Sequence, residues 1–147
     1  MPTFGDYSEV AICNMALAEV GRGAAITALD EASQAARACR QRYPYARDAV
    51  LRSYDWNFAA RRASLPASAA RPACGYASAF DVPPDCLLVR KVDAGCRLRW
   101  EVEGRQILAD AQAPLAIRYT ARITDPGVFD TLFVGALATL FVGALAT

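Results

Sequence analysis

The chain has no histidine, and lysine occurs once, at Lys91. Without histidine, a serine or cysteine nucleophile lacks its usual base. A lysine-based variant would have to use Lys91, which has no serine at a recognised spacing. There is no CxxC pair among the five cysteines, Cys13, Cys39, Cys74, Cys86 and Cys96. A zinc site would therefore need four thiolates without a paired motif, and buried thiols in a reducing compartment are the expectation. No glycine-rich phosphate loop is present, because Gly21-Arg22-Gly23 follows a helical pattern rather than a strand. Residues 1–7 lack a basic segment, so no signal peptide is expected. No charged residue follows Asp130.

What is present is apolar and arginine-rich. The 147 residues are 54% hydrophobic, which excludes a disordered chain and fits one domain. The formal net charge of +1 gives no general pull toward nucleic acid or anionic lipid. Arginine suits planar ion pairs and interfaces better than lysine does. An arginine-studded helix can be a solvated face, a subunit interface or a phosphate-facing surface. Composition favours the first two, and no module for sequence-specific DNA recognition is present.

Along the chain, Ser8 reads as the N-cap of a first helix running through Val20, with Val10, Cys13, Leu17 and Val20 on one face. Ile12, Met15 and Ala16 widen that face, and Gly21 and Gly23 end the helix. Asp30 reads as the cap of a long second helix. Its inner stripe is Ala36, Cys39, Tyr43, Ala46 and Val50; its outer face is Arg37, Arg40, Arg47 and Asp48, with an Asp48–Arg52 pair. Pro44 inside this pattern predicts a kink. Tyr54, Trp56 and Phe58 follow, and Trp56 and Phe58 stand close enough to Arg61 and Arg62 to stack on them.

From Tyr76 the period becomes two. VPPD at 82–85 and Asp93-Ala94-Gly95 are turns. Arg97 to Val102 alternates, with Leu98, Trp100 and Val102 inward, and Glu103-Gly104 forms a hairpin turn. Residues 115–120 form a last strand. Asp81, Asp85 and Asp93 read as turn formers rather than metal or acid–base groups. Glu9, Glu19 and Glu31 lie on or beside helices, not around a cleft, so no acid–base pair emerges. Asp125-Pro126 marks the start of a last helix carrying Phe129, Leu132, Phe133, Leu137 and Leu140.

LFVGALAT at 132–139 is repeated letter for letter at 140–147. An eight-residue period is neither a heptad nor a hendecad and implies no coiled coil. The last sixteen residues are shorter than the roughly twenty that span a bilayer. Gly135, Thr139 and Gly143 fall at i, i+4 and i+8, which suits close helix packing in a membrane or in a soluble oligomer. The amphipathic start and Asp130 favour the soluble alternative.

Several segments together resemble one family. AICNMALAEVG, then ITALDEASQAARACRQRYPYARDAVLRSYDWNFAARRASL, DVPPDCLLVRKVD, WEVEGRQILA, LAIRYTARITDP and FDTLFVGALA are similar to the head-to-tail adaptor (connector) proteins of tailed bacteriophages, of the tail tubular protein A and packaged-DNA-stabilising accessory type. The likeness covers nearly the whole chain and carries no catalytic signature. It departs at the end, where relatives continue into a longer, more polar segment. The resemblance implies a virion structural protein at the head–tail junction, assembled in the host bacterial cytoplasm. It implies a homo-oligomeric ring, dodecameric in the family, bound beneath the portal protein. Such a ring extends and helps seal the DNA channel and gives the next tail or nozzle protein its platform. Packaged DNA passes through without sequence-specific binding.

The expected fold is α+β: a bundle of three to four helices with one small antiparallel sheet inserted before the last helix. The expected segments are a helical part at 1–65, a linker at 66–75, the sheet at 76–122 and a C-terminal helix at 123–147 packing back on the bundle. Candidate subunit-interface residues are Arg37, Arg40, Arg47, Arg52, Phe133 and Leu137. Candidate structural anchors are Pro44, Tyr54, Trp56, Phe58 and Trp100. No catalytic residue, cofactor, metal or membrane partner is expected. The alternatives are a small membrane-associated protein using the C-terminal helix and a small virion-associated enzyme.

Overall fold

The computed structural model of the chain describes residues 8–21, 25–72, 75–93 and 98–145. The expectations placed on residues 1–7, Gly23, Cys74, Ala94-Gly95, Cys96 and Arg97 fall outside these. The chain divides into two compact units, one of residues 1–58 with 123–147 and one of residues 59–122.

The helical unit contains α1 (Glu9–Glu19), α2 (Gln34–Ser53) and α3 (Thr131–Leu145). Ser8 caps α1, its hydroxyl accepting from the Ala11 amide at 3.1 Å. Ile12, Cys13, Ala16 and Leu17 are buried, while Met15 is 41% exposed. α2 starts three residues later than Asp30 would place it, because Ser33 accepts from the Ala36 amide and caps the helix. It then runs unbroken through Pro44 to Ser53.

Two side chains that sequence reasoning missed hold the connector between α1 and α2. The Asn14 carboxamide clamps Ile26 from both sides, donating to its carbonyl at 3.0 Å and accepting from its amide at 2.9 Å. Asn14→Ala should therefore cost about 1–3 kcal/mol, read as a shift in the urea midpoint at constant m. Glu31 lies in the connector, three residues before α2 begins. Its carboxylate accepts from the Thr27 amide (3.0 Å), the Ser33 hydroxyl (2.8 Å) and the Thr27 hydroxyl (2.8 Å). These donors, the Thr27 amide first, pull its pKa from 4.5 to about 2. A carboxyl with a depressed folded pKa stabilises fully above its unfolded value, and that contribution fades as pH falls from about 4.5 toward 2. Glu31→Gln should flatten this part of the acid-denaturation profile, as followed by circular dichroism.

Asp125 and Pro126 do not begin α3. Asp125 caps a single 3-10 turn, Pro126–Val128, and the helix begins at Thr131, where Asp130 accepts from the Leu132 amide at 2.8 Å. α3 packs against both α1 and α2 and buries Phe133, Val134, Leu137, Ala138 and Phe141. Trp56, Phe58, Phe129 and Phe133 form one aromatic cluster. Phe133 makes edge-to-face contacts with Trp56 (5.3 Å), Phe58 (5.0 Å) and Phe129 (4.7 Å). Trp56 Nε1–H also donates to the Val50 carbonyl at 2.8 Å, tying the cluster to the end of α2.

The second unit corrects the expected fold class. It holds two three-stranded antiparallel sheets, not one small sheet, with all six strands lying between α2 and α3 in sequence. The strands are β1 (Ala60–Leu65), β2 (Ser78–Asp81), β3 (Cys86–Val92), β4 (Trp100–Glu103), β5 (Gln106–Ala109) and β6 (Leu115–Ala121). One sheet has the order β1-β6-β3 and the other β2-β5-β4. β1 lies within the stretch expected to be helical and pairs with β6 from Ala60↔Thr120 to Leu65↔Leu115. On one face of the first sheet Leu65, Leu115, Ile117, Tyr119, Ala121 and Val92 are all buried.

In the second sheet β4 and β5 are joined by the two-residue loop Gly104-Arg105, with Glu103 opposite Gln106. Gly104 adopts φ +60°, the left-handed conformation that such tight hairpins need. β4 is an edge strand. Trp100 is half-buried, but Val102, expected inward, is 48% exposed. The VPPD corner is pinned from several sides. Arg105 donates to the carbonyls of Cys86 and Pro83, both at 2.8 Å. Asp85 accepts from Arg61 (2.5 Å) and from the Tyr119 hydroxyl (3.0 Å). Burial, and then that bond to a carboxylate, push the Tyr119 phenol pKa up.

Candidate interaction surface

The arginines of α2 do not form one outward face. Arg37 and Arg52 are exposed. Arg40 is exposed too, but its guanidinium reaches back to the carbonyls of Leu29 and Glu31 and holds the connector. Arg47 is only 9% exposed, and its Nε donates to Asp48 at 3.1 Å. The reason is helical geometry: Arg47 follows Tyr43 by four residues and so lies on the inner stripe.

Phe133 and Leu137 are fully buried within the helical unit's own core and present nothing to a neighbour. Of the structural anchors, Trp56 and Phe58 lie in the aromatic cluster, whereas Tyr54 is largely exposed and meets Trp56 edge-on at 5.0 Å. Among the described residues an arginine–aromatic stack forms in the second unit, away from Arg61 and Arg62. Arg99 lies 4.3 Å over the Tyr76 ring and donates to Asp110 at 2.8 Å. That donation leads in holding the Asp110 carboxyl below its usual range, and the Ala77 amide adds to it.

What α3 does expose is apolar and small. Leu132 is 76% and Leu140 42% exposed, with Gly135, Ala136, Thr139 and Gly143 also at the surface. Beside this face a groove of about 260 Å³ is lined by Met15 and Glu19 of α1 and by Gly135, Ala138, Thr139 and Val142 of α3. A methyl group added at Gly135 or Gly143 would meet nothing within 4 Å, so no packing inside the subunit requires glycine there. An α-helix with two glycines and no charge gains little alone in water. Such a surface suits close approach by another helix or sheet.

Cys13 and Cys39 are buried in the helical unit, where burial raises both thiol pKa values and keeps them in the unreactive form. Cys86 is buried in the first sheet. The three turn aspartates instead hold strands together. Asp81 accepts from Gln106 at 2.9 Å, and Asp93 lies 3.2 Å from Lys91 and 3.8 Å from Arg62. Among the described residues no cluster of histidine, cysteine, aspartate or glutamate is placed to hold a metal ion. Among them, too, no helix is long and apolar enough to cross a membrane. Comparison with models of known protein families and with curated proteins finds no match.

Proposed function

We propose that this chain is a structural subunit of a homo-oligomer, and that the assembly is the adaptor ring at the head–tail junction of a tailed bacteriophage. The carrying observation is the exposed, uncharged face of α3, where Leu132 and Leu140 stand in water beside glycines that the subunit's own packing does not use. Clustered apolar surface of this kind marks an interaction site. A ring of identical subunits uses a heterologous interface, one patch on each subunit meeting a different patch on the next. The choice of a phage adaptor over any other oligomer rests on the string of motifs from AICNMALAEVG to FDTLFVGALA. The two-sheet architecture adds no support to it. The lack of a spanning helix among the described residues counts against the membrane alternative.

The reading is tested by mixing the purified protein with the portal protein of the same phage. Negative-stain electron microscopy should show a regular ring, free or seated on the portal. A protein that stays monomeric in that mixture would sink the proposal. Gly135→Ala should separate folding from assembly. It should stabilise the isolated subunit by up to about 1 kcal/mol, while weakening the oligomer in sedimentation velocity because the methyl enters the contact.

A further inference from the structure

The second sheet is open along β4. Glu103 and Gln106 flank the two-residue loop, so they face each other as a hydrogen-bonded pair. Such pairs alternate along an antiparallel ladder, which turns the backbone groups of Glu103 and Glu101 toward β5. The Asp110 amide donates to the Arg99 carbonyl at 3.1 Å, the next bond of the same series. The amide and carbonyl of Trp100 and of Val102 therefore point away from the sheet. Among the described residues none of these groups has a hydrogen-bond partner.

An apolar row runs out to this edge. Phe80, Ile107 and Val102 lie directly opposite one another across β2, β5 and β4, so their side chains share a face. Phe80 and Ile107 are fully buried, while Val102 stands half in water. The other edges are guarded. The Ser68 amide donates to the Ala79 carbonyl at 2.8 Å and occupies the outer side of β2. β3 has register shifts between Cys86 and Leu88 and between Val89 and Lys91, and such irregularities spoil a strand as a template. β1 carries the exposed Arg61 and Arg62. β4 has no proline and no register shift. It carries instead two exposed carboxylates, Glu101 and Glu103.

We propose that β4 is a docking edge for an extended segment of a partner protein, in which lysine or arginine alternates with valine or isoleucine. In strand addition the outward backbone groups supply affinity and the alternate side chains supply selectivity. Apolar residues of the incoming strand would lie opposite Trp100 and Val102 and continue the row from Phe80. Basic residues would lie opposite Glu101 and Glu103, on the other face. Like charges directly opposite one another destabilise a sheet. That excludes a second copy of β4, because any register that sets Val102 against an apolar residue also sets carboxylate against carboxylate. Neither β1 nor β3 of a second copy has the required alternation, since Arg61 and Arg62, like Arg90 and Lys91, are neighbours in sequence. The edge thus rejects copies of its own chain and admits a basic strand. The inference stands apart from the ring: binding by a single subunit sustains it.

The test is a fluorescence-anisotropy titration of the full chain with fluorescein-labelled hexapeptides. Val-Lys-Val-Lys-Val-Lys should bind about tenfold more tightly than Val-Glu-Val-Glu-Val-Glu. It should also bind better than Val-Val-Val-Lys-Lys-Lys, which keeps the charge and loses the alternation. Glu101 accepts from the Tyr76 hydroxyl, so the charge test uses Glu103. Glu103→Lys should weaken binding of the lysine peptide and strengthen that of the glutamate peptide, each by about threefold. Val102→Pro removes one outward donor and leaves the β4–β5 ladder intact, because proline is tolerated where the N–H faces away from the sheet. It should lose binding with an unchanged melting temperature. No binding of the alternating lysine peptide would overturn the proposal, as would equal binding of the block peptide or equal binding by folded Val102→Pro. If Val102→Pro fails to fold, the change of preference in Glu103→Lys decides. Loss of wild-type self-association in folded Val102→Pro would overturn it too, by assigning the edge to a second copy.

Discussion

Phe133→Ala should lower the unfolding free energy by about 3–5 kcal/mol, the largest loss expected from any single substitution in the helical unit. Phe133 is fully buried, and three aromatic rings meet it within 5.3 Å. Removing the ring gives up its transfer free energy and leaves a cavity that the rigid neighbours cannot fill. Trp56 and Phe58 are held by their places just beyond α2, and Phe129 by the 3-10 turn before α3. The measurement is urea denaturation of the purified subunit at constant m. Trp56→Phe makes the comparison: it keeps an aromatic ring and removes chiefly the bond to the Val50 carbonyl, so about 1 kcal/mol should go. A Phe133→Ala loss below that of Trp56→Phe would show that the cluster is not the centre of this unit's stability.

The pair Leu132→Glu and Leu140→Glu should abolish assembly while leaving the subunit folded. Both side chains are already exposed, and surface substitutions away from special features usually move stability by no more than about 0.5 kcal/mol. In an oligomer the same positions would bring two uncompensated carboxylates into a desolvated contact, at a cost of several kcal/mol for each interface. At concentrations where the wild type sediments as a large species, the variant should sediment as a single subunit with an unchanged melting curve. Persistent assembly of the variant would remove α3 from the interface.

The residues show which physical signals are readable from sequence. Ser8 before Glu9 and the stripe of Ala36, Cys39, Tyr43, Ala46 and Val50 are local patterns, and the structure displays them as a cap and a buried face. β1 is not local. ARRASL reads as the tail of a helix, and it is a strand only because Leu115–Ala121, some fifty residues later, lies beside it. The count of sheets failed for the same cause: alternation shows that strands exist but not how they pair. Equating arginine with an outer face misplaces Arg47, whose spacing from Tyr43 puts it inward. Phe133 and Leu137 look available because the helix is apolar all round, and only packing shows which side faces the core. Asn14 had a weak signal, a polar residue on an otherwise apolar helix.

The order of elements along the chain has a consequence for synthesis. β6 is the central strand of its sheet and the last strand to be made, and α3 packs on both other helices and is the last helix. While a ribosome adds residues at about 5–20 per second, β1 and β3 wait without their partner until residue 121 has emerged. α1 and α2 wait longer, for residues near 145. Only the β4–β5 hairpin can close at once, in about 1–10 μs. For several seconds the nascent chain therefore presents unpaired strand edges and the apolar sides of two helices, so a chaperone that shields them should raise the yield of folded subunit more than one that acts after release.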